Sequence, residues 1–130
     1  MQHAKGTFDV KITQQENHTG EPTLSNLLLE KQFHGDITAA SRGQMLAAGT
    51  AIEGSAGYVA IERITGTLQG RSGSFVVQHL GHMGRGQTHL TLTVLPDSGT
   101  EQLQGLTGTM RIRIEQGQHF YELDYALAQP

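Results

Sequence analysis

Four polar residues interrupt two otherwise apolar runs near the middle of the chain: Glu62 and Arg63 in the first, Gln78 and His79 in the second. A charge placed mid-strand must be solvated, paired or aimed into a polar cavity, because burying it alone costs too much. Gly57–His79 reads as two strands joined by a glycine-rich turn. With Gly70 and Arg71 as a two-residue turn, Arg63 opposes Gln78 and Glu62 opposes His79. Directly opposed Cβ atoms lie about 4.5–5.5 Å apart, within reach of a carboxylate–imidazole hydrogen bond. Such a bond fixes the imidazole tautomer and raises its basicity, as a general base requires. A slip of one residue would send these groups to opposite faces. The structural alternative is plain: surface ion pairs for Glu62 and Arg63, and a satisfied strand-end histidine at position 79.

Other reactive residues form weaker patterns. His79 and His82 point to opposite faces of a regular strand, and His89 belongs to the next one, so no metal site is expected. Gly84-Arg85-Gly86 has no helix after it to cradle a phosphate. Ser72, Ser74 and Ser98 lie in no nucleophile elbow. Tyr121 and Tyr125 sit on an apolar strand face, where their hydroxyls would orient a ligand only if that face is a lumen. Arg111 and Arg113 share a polar face and read as solvated.

The elements that must position these groups are strands. Period-two alternation marks Phe8–Ile12, Leu90–Val94, Met110–Ile114 and Tyr121–Leu127. Less regular segments, Ser25–Phe33, Ile37–Ala47, Tyr58–Leu68 and Ser74–Met83, complete a set of about eight. Turn signals separate them, Asp97 or Ser98 is placed to cap a short helical turn through Gln102, and Thr13–Pro22 reads as a polar loop. The fold expected is all-β: a closed antiparallel barrel of about eight strands in one domain, 1–130. Closure removes exposed edges, and Gly43 and Gly66 suit the bends it needs. The strands around Tyr58–Ile64 and Phe75–Val77 are apolar on both faces. A homo-oligomer, with a dimer favoured, explains the second face; a covering loop such as 49–56 is the alternative.

Composition narrows the classes. The 130 residues include 17 glycines, 3 prolines and no cysteine, which removes disulfide scaffolds and thiol chemistry and suits a reducing compartment. The net charge of −3 comes without a basic stripe, so no nucleic-acid partner is expected. No apolar run approaches a membrane span and the N-terminus has no signal-like apolar core, so the expectation is a cytoplasmic protein without a membrane partner.

The motifs Gly57-Tyr-Val-Ala-Ile-Glu-Arg63, Gly70-Arg-Ser-Gly-Ser-Phe-Val-Val-Gln-His79, Phe33-His-Gly-Asp36, Pro96-Asp-Ser-Gly-Thr100, Leu103-Gln-Gly-Leu-Thr-Gly108 and Leu123-Asp-Tyr125 resemble the bacterial domain of unknown function 3224. The likeness runs over nearly the whole chain. It implies a barrel similar in fold to the allene oxide cyclases, and it implies no activity. The plant cyclases hold an apolar, oxygenated fatty-acid derivative inside the barrel, but their working residues match no positions here, so that chemistry is analogy.

The expected function is binding of a small apolar or oxygenated ligand in the lumen, with isomerase or cyclase chemistry. Tyr58, Glu62, Arg63, Gln78, His79 and Tyr125 are the expected ligand-binding residues, with no cofactor. Arg63 would hold an anionic or carbonyl group, Gln78 would orient it, and Glu62–His79 would move a proton. The alternative is a non-catalytic interaction module that forms a homo-oligomer through its doubly apolar strands.

Overall fold

The alternating segments form eight antiparallel strands in the computed structural model, which describes residues 1–127. They are β1 (Gln2–Gln15), β2 (Leu24–Gly35), β3 (Ile37–Gly49), β4 (Ala56–Leu68), β5 (Arg71–Gly84), β6 (Gln87–Val94), β7 (Leu106–Glu115) and β8 (Gln118–Leu127). Each pairs with its sequence neighbours and β8 pairs with β1, so the sheet closes into a barrel in chain order. Closure is the arrangement that leaves no sheet edge for another chain to pair with.

Several local readings shift. Strand β1 runs on to Gln15, so the polar loop is residues 16–23. The helical turn is Glu101–Leu103, and its N-cap, Thr100, makes no side-chain capping bond. Ser98 instead accepts a hydrogen bond from the Val76 amide, and the Thr100 hydroxyl accepts one from the Ser74 amide. Residues 95–105 are thereby strapped along β5, and Leu103 is buried in the core. This strap covers the outer face of β5 near Ser74 and Val76, the kind of cover that a loop at 49–56 offered as the alternative to a homo-oligomer.

Gly66 faces Gly73 across β4 and β5, both at φ near +157°, a backbone conformation that side chains disfavour. A Cβ at Gly66 would lie 2.3 Å from the Thr38 carbonyl oxygen, and one at Gly73 would lie 2.3 Å from that of Thr100. These glycines let the wall coil inward and let the strap seat.

The end of the barrel formed by the 69–70 turn and the strap is packed solid. Phe8, Phe33, Ile37, Ile64, Leu68, Phe75, Leu103, Leu106, Tyr121 and Leu123 fill it. Phe33 stacks tilted on Phe8 at 5.4 Å and edge-on to Tyr121 at 5.5 Å. The Tyr121 hydroxyl accepts from the Ile37 amide and donates to the His34 carbonyl, tying the β2–β3 turn to the core. Toward the other end, large lumen-side residues become exposed, Ile12, Met83 and Ile114 among them. The barrel is closed and dry at one end and open at the other.

Gly66→Ala is expected to destabilise the protein by roughly 1–3 kcal/mol through overpacking. Gly57→Ala, whose new Cβ would meet nothing closer than 3.5 Å, should change it by less than about 0.5 kcal/mol. Urea unfolding of the two variants checks both values.

Candidate functional site

At the boundary between the packed and open ends lies a buried polar cluster of Lys31, Ser41, Glu62 and His79. Glu62 is wholly inaccessible to solvent. Its Oε1 accepts from Lys31 Nζ at 2.8 Å and from His79 Nε2 at 2.8 Å, and its Oε2 accepts from Ser41 Oγ at 2.7 Å. The register explains how residues from four strands converge. Glu62 opposes Gly43, and Lys31 opposes Ser41. Strand β3 thus presents only a hydroxymethyl and a hydrogen to the lumen here, and the long Lys31 side chain reaches across it. A Cβ at Gly43 would lie 2.5 Å from that of Glu62, so glycine is what admits the carboxylate. Lys31 Nζ also sits 5.0 Å from the Phe8 ring centre and 5.9 Å from that of Phe33, and these aromatic faces favour the cation.

Burial pushes the Glu62 carboxyl up. The His79 hydrogen bond and the charge and hydrogen bond of Lys31 outweigh it, leaving the group at about 2. Glu62 is therefore an anion at neutral pH and can only accept. The bond to His79 then requires the proton on Nε2. In the neutral ring Nδ1 is left as the free base, and it faces the Tyr58 hydroxyl at 3.3 Å. Burial, followed by the nearby Glu62 charge, pushes the Tyr58 hydroxyl up, so it keeps its proton and donates to Nδ1. Among the described residues, no buried side-chain nitrogen or oxygen lacks a partner.

Tyr58 leads from this cluster to a cavity of about 440 Å³ in the open end, lined by Met45, Ala47, Gly81, Met83, Leu90 and Ile112 among others. Gly81 makes room for the tyrosine, since a Cβ there would lie 2.6 Å from Tyr58 Cε1. The arrangement is a chain of proton-carrying groups, running from a buried carboxylate to a tyrosine that lines an apolar cup.

The expected site residues divide. The hairpin turn is Gln69-Gly70, not Gly70-Arg71, so Leu68 opposes Arg71, Glu62 opposes Val77 and His79 opposes Ala60. This is a shift by two positions, which keeps faces unchanged. Glu62 and His79 are diagonal neighbours on the lumen side and still meet, with Tyr58 beside them. The same alternation puts Arg63 and Gln78 on the outer face, both exposed, and Arg63 donates to Ser74 Oγ at 3.3 Å. Their expected positions in the lumen are corrected on that ground. Tyr125 is on the lumen side at the wrong end. Its hydroxyl donates to Gln2 Oε1 at 2.8 Å and touches Gln69, which lies beyond the far end of β4 from Tyr58. That is roughly 35 Å away along an extended strand.

Lys31 and Ser41 were not expected, although Lys31 carried a signal. In Leu27–Phe33 the odd-numbered positions Leu27, Leu29 and Phe33 are apolar and share a face, and Lys31 holds the remaining place on it. No group of three or more His, Asp or Glu among the described residues is arranged to hold a metal ion, and His82 and His89 stack on one another at 4.7 Å. No helix among them is long and apolar enough to cross a membrane.

A family model described as protein of unknown function (DUF3224) matches residues 4–125. A crystal structure of a protein of unknown function from that family, from Shewanella oneidensis MR-1, is similar over 100% of this chain and 99% of its own, at 50% identity and a TM-score of 0.94. No curated protein matches the chain.

Removing the Glu62 charge by Glu62→Gln leaves the Lys31 ammonium buried without a counter-ion, at an expected cost of about 3–5 kcal/mol. Lys31→Met with Glu62→Gln should recover most of that in urea unfolding. The folded carboxyl lies below its ordinary 4.5, so its stabilisation is complete above that value and is lost as pH falls toward about 2. The wild type should therefore lose more stability than the double variant between pH ~5 and ~2.

Proposed function

Because this chain belongs to the DUF3224 family, a family of unknown function, its activity must be argued from its site, and we propose a small-molecule-binding barrel that moves a proton on a ligand held in the lumen. The observation that carries this reading is the chain Glu62–His79–Tyr58, which ends at a tyrosine that lines the apolar cavity. The step is a proton relay. The ligand gives up a proton from carbon or oxygen to the Tyr58 oxygen, while Tyr58's own proton passes to His79 Nδ1. The ligand becomes an anion, and the imidazolium is stabilised by Glu62. Return of the proton to a different atom completes an isomerisation; where the anion instead adds to a conjugated double bond of the same ligand, the π pair moves to an atom that takes the proton back from Tyr58 and a ring closes. The volume suits a drug-sized molecule. The architecture of the allene oxide cyclases supports a lumen ligand by analogy and supplies no residue role. A cytoplasmic setting is the one that the cysteine-free sequence favours.

A second reading concerns assembly. On the outer face Leu46, Val59 and Leu80 lie in register across β3, β4 and β5, with Ile61 beside them, each 47–61% exposed. Uncharged Gln44 and Gln78 flank the patch, and together these residues line a shallow groove. We propose that a second copy covers it, forming a homodimer, since one flat patch set against itself satisfies a two-fold axis.

Native mass spectrometry of protein purified from its own host should show a retained small molecule of defined mass. In heavy water, the released ligand should take up deuterium with wild-type protein and not with Tyr58→Phe. Nitrogen NMR should place the proton of neutral His79 on Nε2. A proton on Nδ1, or exchange that survives Tyr58→Phe, would sink the relay. For assembly, light scattering should give twice the chain mass for wild type and a single chain for Leu80→Lys. A monomeric wild type removes the dimer and leaves the lumen reading standing.

A further inference from the structure

Hydrogen bonding around the barrel is uneven at one seam. Neighbouring strands elsewhere share seven or more register pairs, whereas β6 and β7 share only two, Leu92 with Met110 and Thr93 with Thr109. Both strands continue beyond that point toward the open end, to Gln87 and Glu115. Continued, the register would set Leu90 against Ile112 and Thr88 against Ile114. Those rungs are missing, although each strand keeps its other neighbour. Strand β6 is paired to β5 up to Gly84 and Gln87, with His82 stacked on His89. Strand β7 is paired to β8 up to Glu115 and Gln118, reinforced by Arg111 with Asp124 and by Arg113 with Glu122. Two fully zipped hairpins thus flank an open slot.

The cavity lies in this slot. Its lining includes Thr88 and Leu90 from one hairpin, Ile112 and Ile114 from the other, and Tyr58 behind them. Ile114 and Met83 point to the lumen side and yet are 62% and 48% exposed, as expected where the wall is parted. The lining is apolar, and Tyr58 is its link to the buried cluster. The one cationic side chain on the lining is Arg113, whose guanidinium is already paired with Glu115 and Glu122. His82 and His89 stack on one another on the outer face of the wall, because Met83 and Leu90 beside them take the lumen side. Among the described lining residues no cation is left without a partner for a carboxylate or phosphate.

We infer that the β6–β7 slot is the ligand's seat and its route into the barrel, and that the ligand is an uncharged apolar molecule with one hydroxyl or carbonyl oxygen, which sits on Tyr58. This rests on the lumen-binding reading and narrows it to a place and a chemical class. An uncharged molecule enters sideways between the hairpins, apolar body against Leu90, Ile112 and Met83, oxygen inward. The unpaired backbone groups of residues 87–91 and 111–115 stay solvated at the slot's rim until it is filled.

The chain has no cysteine, so a single introduced thiol addresses one wall at a time. The probe is 2-naphthol, uncharged at neutral pH, with 2-naphthoate as its anionic counterpart. Thr88→Cys lies in the slot, and Gln14→Cys lies on the lumen side of β1, outside the cavity lining. Each is tested free and coupled to a bulky neutral maleimide. Wild type should bind 2-naphthol, with naphthoate at least about tenfold weaker, and each coupled protein is compared with its own free thiol. Coupling at position 88 should weaken 2-naphthol by about tenfold or more, and coupling at position 14 should leave it unchanged. Loss on coupling at position 14 alone, or equally at both positions, overturns the slot while lumen binding survives. Naphthoate binding as tightly as naphthol overturns the uncharged class. Saturating 2-naphthol that shifts no Tyr58 or Ile112 NMR signal in the wild type removes the lumen reading together with the slot.

Discussion

The arrangement of this barrel turns on one buried anion. A carboxylate that no solvent reaches is tolerated only with full hydrogen bonding and a counter-charge, and Glu62 has both. Meeting that demand fixes much else. Strand β3 must be narrow at Ser41 and Gly43, Lys31 must lie on the lumen face of β2, and His79 must carry its proton toward the carboxylate. The aromatic layer of Phe8 and Phe33 beneath Lys31 then becomes part of the same solution, because its faces help hold the cation. Replacing the group with apolar residues would give a simpler core. Retaining it makes sense for the orientation it imposes on the imidazole, whose remaining nitrogen is directed to Tyr58.

The architecture was legible because the alternation is strong and the glycines punctuate it. About eight antiparallel strands and a closed barrel follow from patterns such as Met110–Ile114 and from turn signals such as Gln116-Gly117. The pairing of Glu62 with His79 survived an error in the hairpin turn because the error was an even number of positions. Parity, not register, decides which face a side chain takes. The same rule already excluded Arg63 and Gln78 from the lumen once Glu62 and His79 were placed there. Chemical attraction among the four polar groups obscured that geometric veto.

What stayed hidden depends on closure. Lys31 sits two strands away from Glu62 and meets it only across the curved inner wall, a contact that no local pairing announces. Tyr125 shares the alternation of its strand with lumen residues, yet depth along the barrel separates it from Tyr58, and periodicity carries no information about depth. The strap followed the same pattern. Ser98 and Thr100 have the composition of a helix cap, and they spend their hydroxyls on the amides of Val76 and Ser74 instead, where an outer strand face needed covering.

The two ends of the barrel differ in packing, and the proposed chemistry falls at the open one. The strap end buries the aromatic and aliphatic core and ties the β2–β3 turn through Tyr121. Closing the other end as tightly would fill the space above Tyr58 and, on the function we propose, seal the relay from its ligand. The open β6–β7 rungs forgo ladder hydrogen bonds that a regular barrel would make, and apolar side chains such as Ile114 remain in water. A fold under selection for stability alone would zip that seam, since the register needed to do so is already set at Leu92 and Met110. The flanking hairpins are each complete to the tip, so the gap is confined to the one boundary that shares a cavity with Tyr58. Its position is what ties the incomplete closure of the sheet to the chemistry of the buried cluster.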